Sequence, residues 1–199
     1  MPKRILVQVA HPAFQRSTVN RHLVRAVEDI DGVTFNDLYE VYPDFLIDVE
    51  REQQLLVDHD VILFQHPLFW YSTPAILKEW QDLVLTHGWA FGNGGNALAG
   101  KFAFQAITTG GSEDAYTPEG SNRFTIRQLL APLEQTCTLC EMTYLAPFIV
   151  HGTHEINSEA DMLSHCDDYR RLIEALRDDR LNLSRAASAP KLDVDFIRP

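Results

Sequence analysis

No stretch of this chain is apolar over enough residues to span a bilayer, and the first apolar run, Ile5–Ala10, is too short for the core of a signal peptide. These absences predict a cytoplasmic protein. Basic residues are scarce, with 17 Lys and Arg against 28 Asp and Glu and a formal net charge of -11. No Lys/Arg-rich tract occurs, so a nucleic-acid partner is not expected.

Cysteine is also scarce, and the odd number of three fits a reducing compartment rather than a disulfide framework. Cys137 and Cys140 have the spacing of a dithiol redox site, but they fall near the end of a predicted helix, whereas a reactive thiolate is stabilised at a helix N-terminus. We interpret them as structural. His151 and His154 could supply two metal ligands, but no further Cys/His cluster accompanies them, so no metal site is expected.

The chain has 199 residues, of which 45% are hydrophobic, and this is enough for one sizeable core. We expect one domain over residues 1–180 and a C-terminal tail over 181–199, which has no clear period and should be loosely packed or lie against a partner subunit. The predicted strands are 5–10, 33–38, 61–65, 102–107 and 142–150. The predicted helices are 18–29, 50–58, 74–85, 125–139 with a break at Pro132, and 159–178. Residues 39–48 are expected to be a loop, 112–122 a polar lid, and the acidic stretch 48–52 a solvated helix start.

Alternating strands and helices predict an α/β fold, and five strands in this order fit a doubly wound, flavodoxin-like parallel sheet with strand order 2-1-3-4-5 and helices on both faces. The first, third and fourth strands each end abruptly in a short loop. Those loops begin at His11, Gln65 and Thr108. Because the carboxyl ends of parallel strands lie at one edge of the sheet, the three loops should converge there and form a ligand site.

Each loop offers a different surface to a ligand. Ser17, Thr18 and Asn20 begin a helix whose N–H groups and dipole favour a phosphate, although an ordinary capped helix start explains them equally well. The aromatic run 68–71 suits a planar heteroaromatic ring, with core packing as the alternative. In the turn 108–111 the glycines allow close approach of the main chain and the threonines supply hydroxyls.

Two histidines follow the predicted fifth strand at the same edge of the sheet. His151 and His154 are candidates for a proton donor, or for an electrostatic partner to a developing anion.

With these residues in view, the chain resembles the flavin-dependent NAD(P)H:quinone oxidoreductase family, most closely the ancillary flavoproteins of glutathione-gated potassium-efflux systems. The resemblance runs from about Ile5 to His151 and covers most of the motifs above. It also includes the segments 42–48, 77–80, 88–95 and 98–101.

The resemblance implies an FMN at the carboxyl edge of the sheet, in a homodimer whose partner completes the substrate pocket. The implied phosphate and ribityl contacts are His11, Ser17, Thr18, Val19 and Asn20. The implied ring contacts are Leu68, Phe69, Trp70 and Tyr71 beneath the ring and Thr108, Thr109, Gly110 and Gly111 at its edge. The larger relatives place a tyrosine and a histidine near the reduced flavin. Here His151 is assigned to the tyrosine position, with His154 as the other candidate.

The expected function is that of an FMN-dependent NAD(P)H:quinone oxidoreductase, which passes two electrons to a quinone or similar electrophile by ping-pong exchange. The alternative is a regulatory subunit of a membrane potassium-efflux transporter, held at the cytoplasmic face of the inner membrane. A one-electron carrier is disfavoured by the long loop 11–20 and the glycine-rich segment 88–101.

Overall fold

The computed structural model of the protein describes residues 1–156 and 158–198. The strands are β1 (Ile5–Val9), β2 (Val33–Asp37), β3 (Val61–Pro67), β4 (Phe102–Thr108), β5 (Thr143–Tyr144) and β6 (Phe148–Val150). The α-helices are α1 (Thr18–Val27), α2 (Leu38–Val41), α3 (Val49–Asp58), α4 (Ala75–Val84), α5 (Ile126–Leu129), α6 (Ala131–Leu139), α7 (Glu159–Arg177) and α8 (Leu183–Ser188). Short 3-10 turns occupy Phe14–Arg16, Glu113–Tyr116 and Val194–Phe196. Among the described residues, no helix is both long and apolar enough to cross a membrane.

The sheet is parallel throughout and has the order β2-β1-β3-β4-β5, which confirms the predicted fold class and strand order. In its centre Val7 lies beside Leu63, and Leu63 beside Phe104. All five residues of β1 and all seven of β3 are buried, because helices cover both faces of the sheet. The C-terminal ends of β1, β3 and β4 therefore reach the same edge, as the sequence predicts.

Apolar side chains fill both faces of the sheet. On one face α1 and α7 pack around residues such as Leu23 and Tyr169, and on the other α3 and α4 pack around Leu56 and Trp80. The predicted break near Pro132 is also present: α5 ends at Leu129 and α6 begins at Ala131. Proline sits in the first turn of α6, where its missing N–H has no helical partner to lose.

Two secondary-structure predictions are wrong. The expected loop 39–48 begins inside the short helix α2, which is capped by the Asp37 side chain accepting from the N–H of Tyr39 at 3.1 Å. The expected strand 142–150 is divided into β5 and β6, both paired with β4. Pro147 lies between them, and the backbone there turns outward: the Ala146 N–H donates to the carbonyl of residue 186 at 2.7 Å.

The C-terminal tail is not loosely packed, which was one of the two alternatives expected from the sequence. Leu181, Ala186, Leu192 and Phe196 are buried in the cluster between α1, α7 and the sheet. The Leu192 N–H also donates to the Pro147 carbonyl at 2.8 Å, so the tail satisfies the backbone groups that the divided strand leaves free.

The acidic stretch 48–52 is not simply a solvated helix start, because Glu52 is completely buried. Its carboxylate accepts hydrogen bonds from Gln8 (2.9 Å), Tyr42 (2.7 Å) and Trp80 (2.8 Å). Arg51 also pairs with it. A buried carboxylate is tolerated when it is paired and hydrogen-bonded in this way, and here it joins β1, α3 and α4.

Candidate functional site

The loop from β1 to α1 forms a helix N-terminus with free donors. Ser17 is the N-cap residue of α1, and its Oγ accepts from the Asn20 N–H at 3.3 Å. The Nδ1 atom of His11 accepts from the Ala13 N–H at 3.1 Å, so the neutral ring carries its hydrogen on Nε2. Burial lowers the pKa of His11, which keeps the ring uncharged at neutral pH. The loop therefore offers neutral donors and the positive end of a helix dipole.

Asn20 fixes this loop against the sheet. It is buried, and its side-chain amide donates to Thr108 Oγ1 at 3.0 Å. Its carbonyl accepts from the Gln65 amide at 3.0 Å, and Gln65 in turn accepts from the Tyr169 hydroxyl at 3.0 Å. This chain of bonds connects α1, β3, β4 and α7, so the three loop ends are held in one rigid arrangement.

The aromatic run after β3 forms a tight turn. The N–H of Phe69 donates to the Ser72 carbonyl at 3.1 Å, and the reverse bond is 3.0 Å. Between them Trp70 and Tyr71 have φ values of 49° and 64°, a left-handed conformation that costs side-chain-bearing residues about 1–2 kcal/mol each. The Trp70 side chain is 93% exposed. Such strain is retained mainly at functional sites, so this turn is a candidate ligand surface.

The turn after β4 allows close packing. A Cβ on Gly110 would lie 3.1 Å from Nε2 of His154, and one on Gly111 would lie 3.2 Å from the ring of Tyr116. Thr109 donates through Oγ1 to the Gly111 carbonyl at 2.8 Å. As predicted, the two glycines permit close approach to the main chain, here by the side chains of His154 and Tyr116.

These loops enclose a cavity of about 460 Å³ at the carboxyl edge of the sheet. Of the predicted site residues, the cavity is lined by His11, Ser17, Thr18, Val19, Asn20, Leu68, Phe69, Thr108, Gly110 and His154. Four further lining residues were not predicted from the sequence: Ala13, Arg16, Pro67 and Thr153. The remaining predicted residues do not line it: Trp70, Tyr71, Thr109, Gly111 and His151.

The structure separates the two candidate histidines. His154 lies in the cavity against Gly110, whereas His151 lies behind the turn, with Nδ1 3.2 Å from Thr109 Oγ1. The hydrogen bond from the Thr109 hydroxyl to Gly111 assigns the donor role in the second contact to Nδ1 of His151, which leaves Nε2 as an acceptor. Burial lowers the pKa of His151, so a positive charge on it is disfavoured at neutral pH.

Tyr116 was missed by the sequence reasoning. Its ring packs on Gly111 and lies 5.7 Å, centroid to centroid, from the ring of His151. A tyrosine of this chain therefore lies beside the histidine that was assigned to the tyrosine position, and it is a further candidate for that position. The available signal was a lone aromatic residue in an otherwise polar lid, five positions after Gly111.

The cysteines take no part in this site. Cys137, Cys140 and Cys166 are free and buried, and burial raises the pKa of the Cys137 thiol to about 12. A thiol in that environment is a poor nucleophile, which agrees with the structural interpretation of the Cys137/Cys140 pair.

Several known proteins are similar to this chain over most of its length. The chain is 50% identical, over 163 residues, to the glutathione-regulated potassium-efflux system ancillary protein KefG of Pectobacterium carotovorum, covering 82% of this chain and 88% of the relative. A structure of general stress protein 14 from Treponema denticola, in complex with FMN, is 36% identical with a TM-score of 0.81, covering 87% of this chain and 99% of the other. An NADPH-quinone reductase structure from P. pentosaceus is 32% identical with a TM-score of 0.78, covering 85% and 97%.

The family model described as a flavodoxin-like fold matches residues 3–173, which include every strand of the sheet and every loop of the candidate site. The chain belongs to this flavodoxin-like family.

Proposed function

We propose that this protein binds FMN in the cavity at the carboxyl edge of its sheet and transfers two electrons from NAD(P)H to a quinone or similar electrophile. The observation that carries the proposal is the cavity itself, in which a helix N-terminus, an apolar strand end and a glycine turn meet. The FMN bound to the Treponema relative and the quinone reductase activity named for another relative support it.

The residues present fit FMN part by part. The start of α1, with the Ser17 hydroxyl and the Nε2–H of His11, suits an anionic phosphate. The apolar side chains of Leu68 and Phe69 suit a flat ring, and Gly110 leaves room for the ring edge against the main chain. When bound, FMN would supply the ability to accept and give up a hydride.

The chain's own contribution is positioning. The Asn20–Gln65–Tyr169 hydrogen bonds keep the loops from shifting, and the strained turn that carries Trp70 lies next to the lining residue Phe69. If NAD(P)H and quinone stack in the same place over the ring, they bind in turn, as in ping-pong exchange. His154, in the cavity, is the first candidate for a proton donor. His151 would influence the site only indirectly, through its contact with Thr109.

The first test is the absorbance spectrum of the purified protein, followed by heat release and chromatography of the cofactor. We expect FMN, and steady-state reduction of a quinone by NADH or NADPH with parallel double-reciprocal plots. Recovery of FAD, or of no flavin after reconstitution with FMN, would contradict the proposal.

We also propose a homodimer, because three large aromatic side chains are strongly exposed, two of them adjacent in the turn after β3. Phe69 is 46%, Trp70 93% and Phe124 54% exposed. Sedimentation equilibrium should give twice the chain mass, and Trp70→Ser should shift the population toward monomer. A monomeric wild-type protein at micromolar concentration would refute this.

The second candidate function is an ancillary subunit of a potassium-efflux transporter at the cytoplasmic membrane face, which the name of the Pectobacterium relative favours. It is compatible with the enzymatic proposal. Affinity purification of the tagged protein from detergent-solubilised membranes should then recover a potassium-efflux transporter, whereas a free enzyme would recover none and would still turn over quinone.

A further inference from the structure

A second cavity, of about 680 Å³, lies beside the candidate cofactor site. Its walls are the 3-10 turn Glu113–Tyr116, the segment from Thr125 to Ala131, and the chain from Ser188 to Lys191, which we name the strap. Ile126 and Ile149 contribute apolar surface to it. Its volume falls within the range of about 300–1,000 Å³ that is usual for small-molecule sites.

The strap is held across the cavity by two side-chain contacts. Arg127 donates to the carbonyl of Ala189, and Lys191 Nζ lies 2.6 Å from Glu113 Oε1. The strap follows the residues 3–173 that the family model matches, so this wall lies outside the matched part of the chain. It is therefore a place where this chain can differ from its relatives in what it accepts.

The cavity adjoins the turn after β4, on the side of that turn away from the cavity lined by His11 and Ser17. Tyr116 and His151 line it, and the same two residues contact Gly111 and Thr109 of the turn after β4. A molecule whose reacting ring lies at that turn could extend a substituent between Tyr116 and the strap.

Charge on the walls is already compensated. Glu113 pairs with Lys191, and Arg127 pairs with Glu134 at 2.8 Å. Burial lowers the pKa of His151, which leaves that ring neutral. Such walls favour a neutral, apolar occupant over a charged one, because an ion would lose hydration without gaining a free counter-charge.

We propose that this cavity binds an apolar alkyl or prenyl substituent of the electron acceptor, so that the strap selects substituted quinones over unsubstituted ones. The inference rests on the proposed quinone reductase function. Each methylene that leaves water should raise affinity about fourfold.

The test fills the cavity from two opposite walls with Ala131→Phe and Ser188→Trp, both at positions with exposed side chains. With FMN-loaded protein, kcat/KM for a decyl-substituted benzoquinone should fall at least tenfold, while kcat/KM for 1,4-benzoquinone changes less than twofold. The matched control is Ala160→Phe on the exposed surface of α7, which should change neither.

A binding measurement makes the result independent of turnover. Titration calorimetry with a decyl-substituted 1,4-dimethoxybenzene, which cannot be reduced, should show binding to the wild-type protein and at least tenfold weaker binding to each filled variant. Equal affinity in wild-type and filled proteins, or no binding to the wild type, overturns the inference. If the wild type reduces neither quinone, the proposed function fails while calorimetry still decides the cavity.

Discussion

Ser17→Asp separates a phosphate site from an ordinary helix cap. Aspartate is as good an N-cap as serine, so the contact with the Asn20 N–H and the start of α1 should survive, with stability unchanged or higher by about 0.3–1 kcal/mol. A phosphate that contacts this cap would lie about 4 Å from the new carboxylate. Two unit charges at that distance repel by about 1 kcal/mol in bulk water and about 4 kcal/mol at an effective dielectric constant of about 20. Because Ser17 is half-buried, FMN affinity should fall by a factor between about 5 and about 1,000.

The assay is titration of the flavin-free protein with FMN, followed by flavin fluorescence. Ser17→Asn is the matched control, since it also caps the helix but adds no charge, and riboflavin is the matched ligand, since it lacks the phosphate. We expect weak binding in only one combination, that of the Ser17→Asp variant with FMN. Equal weakening with riboflavin, or equal weakening by Ser17→Asn, would remove the phosphate from the start of α1.

Three further predictions concern other groups. His154→Ala should slow reduction of the bound flavin by NAD(P)H by a factor of about 10²–10⁴, as for a positioned acid, when measured by stopped flow. His151→Ala should have a smaller effect. A wild-type rate in the flavin-loaded His154 variant refutes this prediction. Burial lowers the pKa of His66, so the unfolded chain binds a proton at this histidine more tightly than the folded protein does. The urea midpoint of unfolding should therefore fall as the pH drops below about 6.5. His66→Gln should reduce this dependence of the midpoint on pH. Glu52→Gln should lower the free energy of unfolding by about 3 kcal/mol, since its donors lose a charged acceptor; a loss under about 1 kcal/mol in urea titration contradicts this.

The position of the site could be predicted from the sequence because it depends on local signals. The runs that begin at Ile5 and Val61 are buried along their whole length, and the run that begins at Phe102 is buried after its first residue. Each is therefore a continuous, mainly apolar segment that stops where the strand leaves the sheet. In a doubly wound topology the ends of these strands lie together, so the position of the site can be predicted without knowing any side-chain contact. The helix cap at Ser17 is equally local, because its partner, Asn20, is three residues away.

Contacts between distant residues could not be predicted in this way. Glu52 is buried because Gln8, Tyr42 and Trp80 all donate to it, and their separation in sequence gives no periodic signal. From the sequence alone, a charged residue in the acidic first turn of a helix is therefore predicted to be exposed to solvent, because its hydrogen-bond donors are not known. The same holds for the tail, whose bonds to residues 146–147 depend on how the divided last strand bends.

The two histidines show how protonation follows from such long-range contacts. From the sequence, His151 and His154 are equivalent candidates three residues apart, at the end of the same strand. The Thr109 hydroxyl distinguishes them: when its hydrogen is directed to the Gly111 carbonyl, it accepts from Nδ1 of His151, and the neutral ring then carries no hydrogen on Nε2. His154 contacts the same turn from inside the cavity, over Gly110. One hydroxyl group on the turn after β4 thus gives the two histidines different surroundings, and proton chemistry in this site should be more sensitive to Thr109 than the sequence alone suggests.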